Sequence, residues 1–598
     1  MGNEATSEVE AWLHGFGSAL SAGDAKAAAA YFGPDGLWRD LVAFTWNIVT
    51  LDGPDAIAAM LGDVSARLRP IGLQIDGAAG REDGVTSAWF TFETALARGK
   101  GHVRLRGGKA WTLFTALREF KGHEEMTGPT REEGVIHGAL LGGRRSWLEQ
   151  RQHEEATLGI TVQPFVLIVG GGQGGIALGA RLQRLGVPAL IIDRNARAGD
   201  AWRNRYKSLC LHDAVWYDHL PYLPFPEHWP VYTPKDKMGD WLEMYVRIME
   251  LNYWTSASCI GAQYDAAAGE WTVRVARDGA EMTLRPRHIV LATGMSGVPE
   301  QPAVPGVATF QGRQHHSSAH PGGEDWAGKN CIVVGANNSA HDIAVDLWEH
   351  GANVTMIQRS STLVARASTL RRNGDAGLYS ESAVARGIDV DTADLTVASM
   401  PYKLLPAMQR PVAEQLQRDD AEFYARLRAV GFKLDFGDDG SGLSLKYLRR
   451  GSGYYIDVGG SALVASGEIG LRSGVDLTEI RPHSLVLSNG EELPADLIVY
   501  ATGYGSMSGW AAALISPEVA AKVGMCWGLG SATGKDPGPW EGELRNMWKP
   551  TQQEGLWFHG GNLAQSRHYS RYLALQLKAR FEGIPTPVHG LAPVHHAG

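Results

Sequence analysis

The chain has 598 residues, a formal net charge of −9, 20% charged residues and 44% hydrophobic ones. That length exceeds what one hydrophobic core supports, so at least three domains are expected, and an acidic balance without a long basic run argues against nucleic acid as a partner. No run approaches the roughly 18 apolar residues of a membrane span. The four cysteines, Cys210, Cys259, Cys331 and Cys526, form no C-x-x-C pair, so a disulfide framework and a redox dithiol are both disfavoured and a reducing, cytoplasmic home is expected. The N-terminus is acidic and lacks a signal-peptide core; its M-G-x-x-x-[ST] match through Gly2 and Thr6 is read as chance.

Residues 1–150 predict an α+β domain. "VEAWLHGFGSALSAGDAKAAAAYF" has helical spacing, a short segment spans 38–50, and a helix covers 56–68. Four later runs, from "GLQIDGAA" to "KAWTLFTALREF", alternate with period two, as an antiparallel curved sheet would. Residues 143–163 read as a charged linker. From Gln163 the pattern becomes apolar strand, glycine turn, helix. "PFVLIVGGGQGGIALGARLQRLGVPALIIDRN" and "KNCIVVGANNSAHDIAVDLWEHGANVTMIQRS" are two βαβ units, and "HIVLATGMSG" is echoed by "LIVYATGYGS". The fold class is therefore α/β with two dinucleotide-binding, Rossmann-like domains and an N-terminal α+β domain. Expected boundaries are 163–305 for the first part of an FAD domain, 306–490 for an NADPH domain, and 491–598 for the second FAD part.

In the first unit Gly170, Gly172 and Gly175 fit G-x-G-x-x-G after a strand and before a helix, and Asp193 closes the next strand. The glycines give a tight turn, close approach to a pyrophosphate and close helix packing, while the acid accepts from a ribose diol. In the second unit Gly335 keeps the first place, Asn337 and Ala340 take the others, and Gln358 stands where the acid would, followed by Arg359 and Ser360. Losing the carboxylate and gaining a guanidinium favours a 2′-phosphate. The first site thus suits FAD and the second NADPH, with NADH possible because Gln358 can still bond a ribose hydroxyl. Electron transfer from nicotinamide to flavin is implied.

"FQGRQHHSSAH" carries Phe310, Gly312 and His316 in the pattern F-x-G-x-x-x-H. With the two glycine turns, "AGDAWRNRYKSLCLHDAVWYDHLPYLPFP", "ATGY" and "FHGGNLAQSRHYSRYLALQL", this resembles the class B flavoprotein monooxygenases over about residues 163–585. The extra N-terminal domain makes the chain most similar to the type II flavin-containing and Baeyer–Villiger enzymes. Residues 1–150 resemble the cone of ketosteroid isomerase and nuclear transport factor. Asp40 is that cone's candidate catalytic carboxylate, with docking or homodimerisation as the preferred role.

The resemblance implies that NADPH reduces FAD, that a flavin C4a-(hydro)peroxide forms, and that one oxygen atom enters a small organic substrate. A ketone is the leading substrate; N- or S-oxygenation and 2-oxo acid decarboxylation are alternatives. A reductase or a flavin-binding scaffold stands further off. The resemblance departs at His212, which occupies an acid's place, and at His320, four residues past His316. His212 becomes the candidate polar group beside the flavin, with a structural histidine as the other reading. Asn337 is the candidate on the nicotinamide side and Ser339 lies in the same turn. Asp200, Trp202, Arg203 and Gly561 are expected near FAD, Arg205 is a further candidate contact, and His316 is a hinge between domains.

Overall fold

A computed structural model describes residues 2–68, 71–134, 143–295, 298–375 and 377–594. At the N-terminus the helix Gly2–Ser21 lies against a six-stranded sheet whose order is Ile48–Asp52, Phe32–Leu41, Lys109–Phe120, Ala97–Arg106, Val85–Glu93, Ile71–Glu82. The sheet departs from expectation in one pair: Phe32–Leu41 runs parallel to Lys109–Phe120, and the other pairs are antiparallel. These two strands are joined through a helix and several hairpins, so no tight turn forces them to oppose. The interior is filled by Trp12, Phe16, Phe32, Trp38 and Phe44, with ring centroids 4.7–6.2 Å apart. Such pairs contribute roughly 0.5–1.5 kcal/mol each beyond their buried area.

Asp40 does not serve as a free carboxylate there. It is fully buried and accepts hydrogen bonds from the backbone of Phe44 and Thr45 and from the hydroxyls of Thr45 and Thr115. A fully buried acid that accepts four hydrogen bonds is held by its own turn and by Thr115, not aimed at a substrate.

Its neighbour Arg39 projects from the opposite face of the strand, because side chains alternate. Arg39 is buried against the rest of the chain. It makes two 2.7 Å bonds to Glu543, one to the Ala398 carbonyl and one to the Tyr569 hydroxyl, and lies 4.3 Å over the Tyr402 ring. Arg104 bonds Ser399, and Asn47 bonds the carbonyls of His589 and Gly590. The N-terminal module is therefore bolted onto its own chain. Removing one partner of the Arg39–Glu543 pair would strand a buried charge, at roughly 3–5 kcal/mol.

The stretch expected to be a linker contains the helix Trp147–Thr157. Ser146 and Glu149 form a capping box that starts it. Beyond it stand two all-parallel five-stranded sheets. The first has the order Leu556–Phe558, His288–Leu291, Val166–Val169, Ala189–Ile192, Tyr253–Trp254. The second has the order Arg313–His316, Leu497–Tyr500, Asn330–Val334, Asn353–Gln358, Gly470–Ser473. Central strands such as Val166–Val169 are buried throughout, as parallel sheets require. The boundary expected at 490/491 moves: Leu497–Tyr500 is a central strand of the second sheet, and only its hydrogen-bonded neighbours there satisfy its backbone. The chain crosses between sheets just after each ATG stretch, where Pro299 and Tyr504 form a bridge.

Candidate functional site

Gly170 has φ +110°, and a Cβ there would overlap the carbonyl oxygen of Ala292 in the first ATG stretch. Gly335 has φ +137°, and a Cβ there would overlap the carbonyl oxygen of Ala501 in the second. The internal echo of the sequence is thus one repeated contact, glycine against ATG alanine, in both sheets. Both glycines are required by conformation and by space. Gly175 is required by space alone, since its helix lies on the Gly170 carbonyl.

The middle position differs. Gly172 caps the first helix with φ −77° and ψ −168°; Asn337 caps the second with φ −100° and ψ −167°. This is extended backbone that any residue adopts, so asparagine occupies the place without strain and needs no special conformational tolerance. In front of Gly172 the space is open, and a Cβ would meet only Ala201 at 3.9 Å. Helix N–H groups therefore face free space at the first turn, the requirement for a pyrophosphate, and the second turn has the same backbone conformation.

The two strand ends have parted. Asp193 accepts from the backbone of Gly171 (2.7 Å) and Asn195 (2.8 Å), which leaves lone pairs for a diol. Gln358 is fully buried. Its amide bonds both the N–H and the carbonyl of Lys433 and the hydroxyl of Ser473. The expectation that it meets a ribose hydroxyl gives way: Gln358 is a clamp that carries Lys433 to the strand end. Arg359, 68% exposed and 3.8 Å from Asp476, and the exposed Ser360 remain available there.

Around the first turn lie polar atoms that the protein leaves unpaired. His559 is buried with both ring nitrogens unbonded, and burial pushes its pKa down to about 3. The Ser566 hydroxyl is also unpaired, and both side chains flank Gly174. Thr293 of the ATG stretch is unpaired too. A ligand rich in hydrogen-bonding atoms fits such a cradle. Gly561 and the N-cap Asn562 begin the helix Leu563–Phe581 beside it, and Trp202 bonds Gln173 of the turn's helix. A cleft of about 520 Å³ lies beyond Asp193, between Ala196–Ala198 and Trp147 of the preceding helix. Among the described residues no cluster could hold a metal ion.

Between the sheets, His316 accepts from Ser318 and reaches the Gly503 carbonyl at 3.1 Å, so it ties the crossing strand to the second ATG turn. Gly312 has no room for a Cβ beside the Phe310 ring and the Asp496 carbonyl. His320 is not on the surface. Its side chain is buried between His315 (3.1 Å) and Asp346 (3.5 Å).

His212 also changes character. Its imidazole lies 3.4 Å from Asp342, in the helix after the second turn, and bonds the backbone of Ile456. Burial acts to lower its pKa, but the Asp342 hydrogen bond and charge prevail and raise it. It is a clasp between the flavin-side segment and the second unit. Arg203 is likewise engaged: Asp200, Asp240, Glu243 and the Ala198 carbonyl take its donors. It braces the short helix Asp200–Arg203 and is not free for a cofactor, and Asp200 shares that network. The unpaired Nε of Arg205 stays buried nearby.

Three further residues carry no sequence signal. Tyr447 donates to Gln565 at 2.6 Å and accepts from the Asn562 N–H, so it closes over the start of the last helix. Tyr454 packs edge-on at 6.4 Å, and both phenols feel the charge of Asp213. Burial raises the Asp213 carboxyl, and the neighbouring His212 opposes this. Only the adjacency of Asp213 to His212 was legible beforehand.

Residues 262–373 match the family model described as "Pyridine nucleotide-disulphide oxidoreductase". Over 344 residues the chain is 32% identical to "Indole-3-pyruvate monooxygenase YUCCA1" of Oryza sativa subsp. japonica, covering 57% of this chain and 77% of that protein. It is 29% identical to "Probable indole-3-pyruvate monooxygenase YUCCA9" of Arabidopsis thaliana, covering 57% and 75%. A solved structure of cyclohexanone monooxygenase with bound epsilon-caprolactone matches the fold with TM-score 0.50 at 16% identity, over 70% of this chain and 88% of that one. OTEMO in complex with FAD and NADP matches with TM-score 0.50 and 16% identity, over 70% and 85%. Two parallel sheets with twin glycine turns, and this similarity across three quarters of the plant enzymes, place the chain in the flavin-containing monooxygenase family.

Proposed function

We propose that this enzyme is an FAD-dependent, NADPH-consuming monooxygenase, tolerant of NADH, that performs Baeyer–Villiger oxidation of a ketone. Ketone, dioxygen, NADPH and a proton would give ester, water and NADP⁺. The observation that carries the cofactor assignment is the pair of glycine turns, each braced on an ATG carbonyl, with unpaired His559, Ser566 and Thr293 at the first. Gly170, Gly172 and Gly175 would hold the FAD pyrophosphate and Asp193 its ribose. Gly561 and Asn562 would meet the flavin ring. Gly335, Asn337 and Ser339 would hold NADPH, with Arg359, Ser360 and Lys433 at its 2′-phosphate. The bound flavin supplies hydride acceptance and oxygen activation; the chain binds, orients and excludes water.

A 2-oxo acid is the second reading, favoured by the names of the relatives. The N-terminal module, read as a cone like that of ketosteroid isomerase, would act as an internal brace through Arg39. Incubation under ¹⁸O₂ with NADPH and, side by side, a cyclic ketone, a thioether and a 2-oxo acid tests these assignments by product mass. Ester carrying one labelled atom is expected. Hydrogen peroxide release without oxygenated product in every class would reject the enzyme as a monooxygenase.

A further inference from the structure

The joint between the N-terminal module and the two cofactor helices has an imbalance of charge. Arg118 comes from the strand Lys109–Phe120, Arg181 from the helix Gln173–Arg184, and Arg571 from the helix Leu563–Phe581. All three converge on one carboxylate. Asp391 lies 2.9 Å from Arg571 and 3.7 Å from Arg118, and its pKa is lowered against the effect of burial by Arg571, Arg181 and Arg118. A second acid, Glu125, also acts on Arg181 and accepts from the Tyr222 hydroxyl at 2.7 Å, so three guanidinium groups face two carboxylates. The other nearby acids are taken: Asp394 holds Arg567 and Glu543 holds Arg39. Guanidinium groups cannot escape by losing a proton.

Hydrogen-bonding capacity is also left over at the same place. Arg181 is 4% exposed, its Nε has no partner, and its guanidinium lies 4.6 Å over the Tyr222 ring. Tyr572 is fully buried with its hydroxyl unpaired, and one turn back the His568 Nε2 is unpaired as well. Burial, with the charges of Arg181 and Arg118, pushes Arg571 down to about 10. The cluster is reachable from solvent, since the Asp391 side chain is 50% exposed. Positive charge in excess of its counter-charge is costly where solvent is scarce, and so is an unmet buried donor.

We propose that this joint binds a small inorganic anion, a halide or an oxyanion such as phosphate, between Arg118, Arg181 and Arg571, with the Tyr572 hydroxyl donating to it. The anion supplies the missing counter-charge where the N-terminal module, the helix of the first glycine turn and the last helix meet. It strengthens that joint and takes no part in the oxygenation, so the site stands whether or not the ketone assignment does.

Thermal unfolding of the FAD-loaded full chain tests this at fixed ionic strength, with gluconate replaced stepwise by chloride in one arm and by phosphate in the other. A saturable rise in Tm is expected, and the arm that saturates at lower concentration names the anion class. An anion that binds only the folded state must raise Tm in this way. Arg571→Gln should raise the half-saturating concentration tenfold or more, while Arg247→Gln, an exposed residue elsewhere, should leave it unchanged. A non-saturating rise, or equal behaviour of the two variants, would mean general screening and overturn the site. Should Arg571→Gln fail to fold, crystals of the unsubstituted enzyme in bromide decide. An anomalous peak within hydrogen-bonding reach of Arg181 supports the proposal, and its absence rejects it.

Discussion

The two glycine turns share one device and differ at particular points. Both keep the first glycine, pressed on an ATG alanine carbonyl with positive φ. Both begin their helix from extended backbone, so the second position is free to vary: glycine in one, asparagine in the other. The strand ends diverge most. Asp193 remains a short acid that holds its own turn, whereas Gln358 is buried and spends its amide on Lys433 and Ser473. The two turns therefore agree where backbones would collide and differ at the strand ends.

The largest effects should come from the shared position. Gly170→Val forces a side chain into the Ala292 carbonyl at a φ that valine avoids, a cost of about 2 kcal/mol or more. The purified protein should lack flavin absorbance. Gly335→Val meets the same obstacle at Ala501, yet it should stay yellow and lose NADPH-dependent flavin reduction. If both variants lost flavin equally, the division of labour between the turns would be wrong.

Gln358→Ala should come next. It frees Lys433 and leaves its part-buried N–H without a partner, while its carbonyl keeps the Thr362 N–H, for roughly 1 kcal/mol of stability. The KM for NADPH should rise several-fold more than that for NADH, as measured by steady-state oxidation of each. Equal changes would remove Lys433 from the 2′-phosphate.

Asn337 separates backbone from side chain. Asn337→Gly should change stability by only a few tenths of a kcal/mol, as N-cap substitutions to glycine do. Asn337→Leu should impair NADPH handling with FAD retained. Unchanged NADPH affinity in the leucine variant would make Asn337 purely structural.

The smallest effect is that of pH on the His212–Asp342 clasp. The folded-state pKa of His212 is raised above the ordinary 6.5. Its stabilising contribution is therefore complete below 6.5 and fades as pH rises through the folded value. The Tm difference between the parent and His212→Gln should shrink over that window. A difference that grew with pH would contradict the pairing.

Much of this was legible in the sequence. Strand, glycine, helix and strand at equal spacing determine a βαβ unit, because apolar period and turn chemistry are local properties. The alternation of Phe32–Leu41 also put Asp40 and Arg39 on opposite faces. Nothing local told which face mattered, and the inward Asp40 turned out to close a turn while the outward Arg39 holds the module to the rest. Gln358 looked like a ribose contact because its partner Lys433 lies 75 positions away in the chain. Tyr447, Asp213 and the three arginines around Asp391 carry no motif at all. The sequence by itself determined the two turns and their order, since each is written within some thirty residues. Only the tertiary structure decided which polar groups are already satisfied by distant parts of the chain, and a site is built from those that are not.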